Sequence, residues 1–156
     1  IFYEFLKIKK NKDYKLILAG KKIPENLELL IKKLELKNSI INLVNLNSKN
    51  ICALYSQAEA LIFPSLTEGF GWPIIEAQAC GCLVFTSKFK PMTEVGGNSV
   101  YYLNPYKKIE SAKIINTKLK FKKLIIKKGF KNLKRFKLSI ISDQYLNFYT
   151  KNFQKR

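Results

Sequence analysis

Short apolar runs separated by stretches with apolar residues at helical spacing constrain this chain more than any other feature, because that alternation is the pattern of βαβ units and a parallel sheet. Five runs are nearly all apolar, as strands covered on both faces must be: residues 15–19 (KLILA), 40–44 (IINLV), 60–63 (ALIF), 83–86 (LVFT) and 99–103 (SVYYL). Between them, residues 24–36 place Leu27, Leu30, Ile31 and Leu34 on one helical face. Residues 48–58 read as a second helix, with Ser48 as its N-cap and Ile51, Leu54 and Tyr55 as its buried side. A third is expected from Pro73 to about Cys80, with proline in its first turn and Gly81 just past its end. Beyond Pro105 the pattern is helix without strand. Ile126, Phe130, Leu133 and Ile140 keep one face, interrupted by Gly129, and a last helix is expected over 142–152. These helices should fold back onto the sheet with their lysine stems lying along it.

At 156 residues the chain reads as one domain, an α/β part over 1–105 followed by a basic helical tail over 106–156. With 47% hydrophobic residues it can bury a core, which argues against disorder despite a net charge of +18. The charge is uneven: residues 1–110 hold 15 basic and 10 acidic side chains, whereas 111–156 hold 14 and 1, a net of +13. Such a tail suits the anionic surface of a membrane or a nucleic acid. Nearly all of its bases are lysine, however, which lacks the fork that clamps phosphate or reads guanine, so a solvated helical face competes with both. No nucleic-acid motif is present, and a specific nucleic-acid partner is not expected.

The chain has no histidine, which removes His-based acid/base catalysis and His-ligated metals from this stretch. Cys52, Cys80 and Cys82 lack paired spacing, so neither a disulfide scaffold nor a zinc site is expected, and a reducing cytoplasmic setting follows. Cys80 and Cys82 read as small apolar core residues near a helix end. No run approaches the roughly 18 apolar residues that span a bilayer. The opening IFYEFLKIKK has neither an initiator Met nor an apolar signal core, so no targeting peptide is read and the chain is taken as a fragment.

The stretch PSLTEGFGWPIIEAQACG follows a strand and opens a helix, the place where open α/β sheets bind ligands. Gly69 and Gly71 flank Phe70 and let the backbone take positive φ beside a ligand. The amides around Gly71 and Trp72 would then offer a phosphate site at the helix start, although a plain turn explains a short glycine loop equally well. Glu68 and Glu76 flank the glycines, with seven residues between them. Carboxylates accept hydrogen bonds from neighbouring hydroxyls, so acids on either side of a phosphate-binding loop suit a sugar nucleotide. The spacing alone leaves open that Glu76 merely favours the helix dipole and that Glu68 is a solvated loop residue.

Glu68 to Glu76 resembles the E(x7)E motif of retaining GT-B glycosyltransferases, and PSLTEGFGWPIIEAQACGCLVFTS is similar to the signature of glycosyltransferase family 4. LILAG, LYSQAEALIFPS and MTEVGGNSVYYLNP sit where that family has like segments. The resemblance implies a Rossmann-like C-terminal half of a GT-B fold that binds a nucleotide-sugar donor, with a saccharide or lipid-linked acceptor. Nothing in the sequence requires a metal, and no cofactor is expected besides the donor. By it, Glu68 would contact hydroxyls of the donor sugar and Glu76 the ribose. Gly69, Phe70 and Gly71 would give backbone to the sugar and diphosphate, Trp72 would line the cleft, and Val44 and Asn45 would cradle the base. A glycine is usual near Asn45, so the chain departs from the pattern there. Glu94, in TEVGG, matches a family acid with a structural role.

The family's diphosphate-binding Arg and Lys, and its acceptor-binding N-terminal domain, would lie upstream of Ile1. If residues 1–10 are the first helix, the absent strand before them is the central one of the 3-2-1-4-5-6 order. Runs 15–19 and 60–63 should then be unpaired with each other or forced together. The alternative function is a non-catalytic basic fragment that binds nucleic acid or membrane. In the glycosyltransferase reading the enzyme is cytoplasmic, with the lysine-rich tail resting on the inner membrane face where lipid-linked acceptors reside.

Overall fold

The computed structural model describes residues 1–9 and 13–153. Helix α1 (Phe2–Lys9) leads to β1 (Leu16–Gly20), α2 (Glu25–Lys33), β2 (Ile40–Val44), α3 (Ser48–Gln57), β3 (Leu61–Phe63), α4 (Trp72–Ala79), β4 (Val84–Ser87), α5 (Met92–Gly96) and β5 (Tyr101–Leu103). Three further helices follow: α6 (Lys108–Lys118), α7 (Lys122–Leu133) and α8 (Leu138–Phe153). All five expected strands form, within a residue or two of their apolar runs. The expected first helix is α1, and Lys10 lies outside the described residues.

Every strand pairing is parallel, but the strands make two sheets, β1-β2 and β3-β4-β5. β1 and β3 are not hydrogen-bonded to each other. They flank a groove of about 880 Å³, lined by Leu16, Ile17 and Leu18 on one side and Leu61, Ile62 and Phe63 on the other. Among the described residues no strand lies between β1 and β3, so the order is β2-β1, an open place, then β3-β4-β5, with runs 15–19 and 60–63 unpaired with each other.

The core is built around β4, whose four residues are all buried. Alternate side chains point to opposite faces of a strand. Val84 accordingly packs with Ile74, Ile75, Ala77, Met92 and Val95 of α4 and α5. Leu83 and Phe85 meet Phe5 of α1, Ala112 and Ile115 of α6, and Ile125 of α7. Burial of a side chain such as Phe85 stabilises by about 1.5–3 kcal/mol. The tail thus folds back as expected through α6 and α7, whereas α8 buries none of its residues.

Several details differ from the sequence reading. The N-cap of α3 is Asn47, not Ser48; its side chain accepts from the Asn50 N–H at 2.9 Å, and the Asn50 side chain accepts in return from Asn47 N–H. Ile51, Leu54 and Tyr55 face the open groove and are only half-buried, because no central strand covers them. Leu30 of α2 is exposed.

On α7 the buried positions are Ile125, Gly129 and Asn132, one residue before the expected face, and Phe130 is exposed. Gly129 seats the helix against α4, where a Cβ would meet Gln78 Cγ at 3.1 Å. Asn132 then donates to Gln78 Oε1 at 3.0 Å and to the Val95 carbonyl at 2.8 Å. Close helix contact through a glycine, locked by an amide pair, outweighs the apolar stripe.

Candidate functional site

Residues 64–71 form the loop leaving the carboxyl end of β3, and two hydroxyls at the end of β4 fix its path. Thr86 Oγ1 donates to the Phe63 carbonyl at 2.9 Å, and the Ser87 hydroxyl donates to the Ser65 carbonyl. Ser65 Oγ in turn lies 2.7 Å from Glu68 Oε1 and 3.1 Å from the Thr67 carbonyl, so a single hydroxyl orients the first acid from within the loop. Glu68 is half-buried.

Gly71 ends the loop in the left-handed region, with φ +97°, and is the N-cap of α4. A glycine is needed there, since L-residues rarely adopt this conformation. No side chain caps this helix start, and Pro73 in its first turn has no N–H to satisfy. Trp72 therefore presents its amide at the positive end of the helix dipole. Gly69, by contrast, does not take positive φ, which corrects the sequence expectation for it. A Cβ at Gly69 would meet no atom within 4 Å, so the local fold itself does not require a glycine there.

The two aromatics of the loop play different parts. Phe70 packs against the core beside α4 and meets Phe136 edge-on, with ring centroids 5.8 Å apart. Trp72 lies 4.8 Å from the Phe70 ring and is 62% exposed, leaving one face of the indole open at the helix start.

Glu76 projects from α4, exposed to solvent. It acts on Tyr55 of α3. The Tyr55 phenol is pushed up to about 12, first by burial and then by the neighbouring Glu76 carboxylate. A neutral phenol thus stands by the second acid. On β2, Val44 is exposed and Asn45 follows it with φ +56°. Asn45 so occupies the left-handed conformation that favours glycine, and asparagine is among the side chains that best tolerate it.

Val44 and Asn45 lie at the carboxyl end of β2 in one parallel sheet, and residues 64–71 leave the carboxyl end of β3 in the other. The elements behind them, α3 and α4, pack together. Glu94 pairs with Lys90 at 3.0 Å on the surface, and its carbonyl accepts from Arg135 at 3.1 Å. Sequence reasoning missed Ser65 and Tyr55 as partners of the acids. Tyr55 showed only as one apolar-face position, and nothing in the linear spacing ties α3 to α4.

The family model described as glycosyl transferases group 1 matches residues 3–136. Among curated relatives, the chain is 39% identical over 80 residues to the O-antigen chain mannosyltransferase RfbU of Salmonella typhimurium, covering 51% of this chain and 23% of that one. It is 32% identical over 108 residues to the serotype-specific mannosyltransferase WbdA of Escherichia coli, covering 67% and 13%. The chain therefore spans less than a quarter of the length of either. Among solved structures, it superposes on Anabaena Alr3699/HepE in complex with UDP and glucose with a TM-score of 0.79 at 22% identity, over 96% of this chain and 44% of that one. The C-terminal domain of the glycosyl transferase group 1 protein LpcC from Francisella tularensis gives 0.70 at 23% identity, over 88% and 78%. At such identities these likenesses establish a shared α/β fold. Together with the family match over most of its residues, they show that this chain belongs to the glycosyl transferases group 1 family.

Proposed function

We propose that this chain is the donor-binding part of a retaining glycosyltransferase that moves a sugar from a nucleotide sugar to a saccharide or lipid-linked acceptor. The observation that carries the reading is the uncapped start of α4, with Glu68 and Glu76 on either side of it, at the strand ends of a chain in this family. In the reaction proposed, the bond from the anomeric carbon to the diphosphate breaks and a bond to the acceptor oxygen forms on the same face. The acceptor proton passes to the departing phosphate. Negative charge grows on that phosphate, and the amides at the α4 start would stabilise it. Glu76 would take the ribose hydroxyls and Glu68 those of the sugar, while Gly69, Phe70 and Gly71 supply main chain, Trp72 one wall, and Val44 with Asn45 the base contact.

Turnover by the intact protein of a panel of nucleotide sugars, beginning with mannosyl donors because both named relatives are mannosyltransferases, tests this. Proton NMR of the product should show the anomeric configuration of the donor. Inversion contradicts the retaining assignment, and no turnover of any donor contradicts the activity.

We further propose that the tail touches an anionic membrane surface. Among the described residues no helix is long and apolar enough to cross a membrane. Helix α8 nonetheless exposes Leu138, Leu146, Phe148 and Phe153 within the basic tail. Flotation with acidic vesicles and not with neutral ones is the expected result; equal binding to both contradicts it.

A further inference from the structure

Cys52 and Cys80 are 28 residues apart in sequence, on α3 and just past α4, and their sulfurs lie 3.1 Å apart. A disulfide needs about 2.05 Å, so closing the pair asks for a shift of about 1 Å, within side-chain adjustment. We propose that Cys52 and Cys80 form a reversible disulfide under peroxide, an oxidative modification site that staples α3 to α4. This inference stands on the geometry of the thiols and not on the glycosyltransferase reading.

Three features set this pair apart from an ordinary core cysteine. Cys52 is exposed, so an oxidant reaches it from solvent, and Cys80 is half-buried behind it. Burial and the contact with Cys52 push the Cys80 thiol up to about 11, so Cys80 holds its proton in the resting pair. Cys82 is buried in the core below them, out of reach of solvent.

The chemistry balances in two steps. The Cys52 thiolate attacks hydrogen peroxide, leaving a sulfenic acid and hydroxide. The Cys80 sulfur then displaces the hydroxyl group, the S–S bond forms, and the thiol proton leaves with the hydroxyl as water. Each sulfur loses one electron, and the peroxide is reduced to two waters once the hydroxide takes up the proton first lost by Cys52.

The positions give the bond a structural effect. Tyr55 stands one turn after Cys52 on α3, and Glu76 one turn before Cys80 on α4. The staple therefore ties together α3 and α4, which pack together and carry Tyr55 and the Glu76 carboxylate that raises its phenol.

The test is to treat the intact, folded protein with hydrogen peroxide, alkylate the remaining thiols after denaturation, and map the peptides by mass. The expected product is one species lighter by two hydrogens, with Cys52 joined to Cys80 and Cys82 alkylated. Reductant should reverse it, and the oxidised form should melt at a higher temperature than the reduced form. C52S and C80S should each abolish the cross-link while leaving the fold, by circular dichroism, as in the wild type. Both thiols recovered free, over-oxidised separately, or linked only between different molecules, would overturn the proposal. So would a Cys80–Cys82 link as the main product.

Discussion

Asn45 holds φ +56° in the turn after β2, a conformation that favours glycine. A left-handed conformation costs an L-residue about 1–2 kcal/mol, less for asparagine. Asn45→Gly should thus leave the unfolding free energy equal or slightly higher, and Asn45→Val should lower it by about 1–2 kcal/mol in urea titrations. At Gly71, with φ +97° and Ile74 Cδ1 3.4 Å from a built Cβ, Gly71→Ala should cost about 1–3 kcal/mol. Ionisation adds a pH dependence. Burial above all raises Cys82 and Cys80 from 9.0 to about 11 and Tyr55 from 10.0 to about 12. Folding therefore favours the protonated forms, so their contribution is complete below pH 9 and is lost as pH climbs through 11 to 12. The denaturation midpoint should fall over that range, with a shallower slope between pH 9 and 11 in Cys82→Ala; a flat profile contradicts the burial of these groups.

At the scale of elements, the seat of α7 on α4 rests on a polar lock. Asn132 bonds Gln78, and Gln78 Nε2 donates to Ser99 Oγ at 2.8 Å, all in buried surroundings. Asn132→Ala leaves the Gln78 amide oxygen and the Val95 carbonyl short of a donor, and should lower stability by about 1–3 kcal/mol by thermal or urea unfolding. A change within a few tenths would show that α7 is seated by its apolar residues instead. The same lock explains what the sequence hid. Strands were legible because buried parallel strands are written as continuous apolar runs, and α4 because proline and glycine mark its ends. The register of α7 was not legible. Its apolar residues at 126, 130 and 133 repeat with the same spacing as the buried 125, 129 and 132, and only the contact with Gln78 chooses between them. The two acids stood out by motif, whereas Ser65 took its place beside Glu68 in a loop whose path β4 fixes, and Tyr55 came near Glu76 only through the packing of α3 on α4.

For the whole molecule, the open place between β1 and β3 is the dominant fact. Two strand edges and the side chain of Ile17, 41% exposed, face a groove that a further strand would fill. Exposed edges template pairing with other chains. Residues 1–156 expressed alone should self-associate, seen as concentration-dependent sedimentation, and Ile17→Lys should weaken it; a monodisperse monomer at every concentration contradicts this. The order of strands across that place followed from the usual order of a doubly wound sheet, and the two acids were read from the motif. What joins the two is the start of α4, and it is tested by calorimetric titration of a turned-over nucleotide sugar into the intact protein and its Glu76→Ala variant. Loss of a hydrogen-bonded carboxylate should weaken binding by about tenfold to a hundredfold with the fold unchanged, whereas equal affinity and equal turnover in a folded variant would remove Glu76 from the donor site.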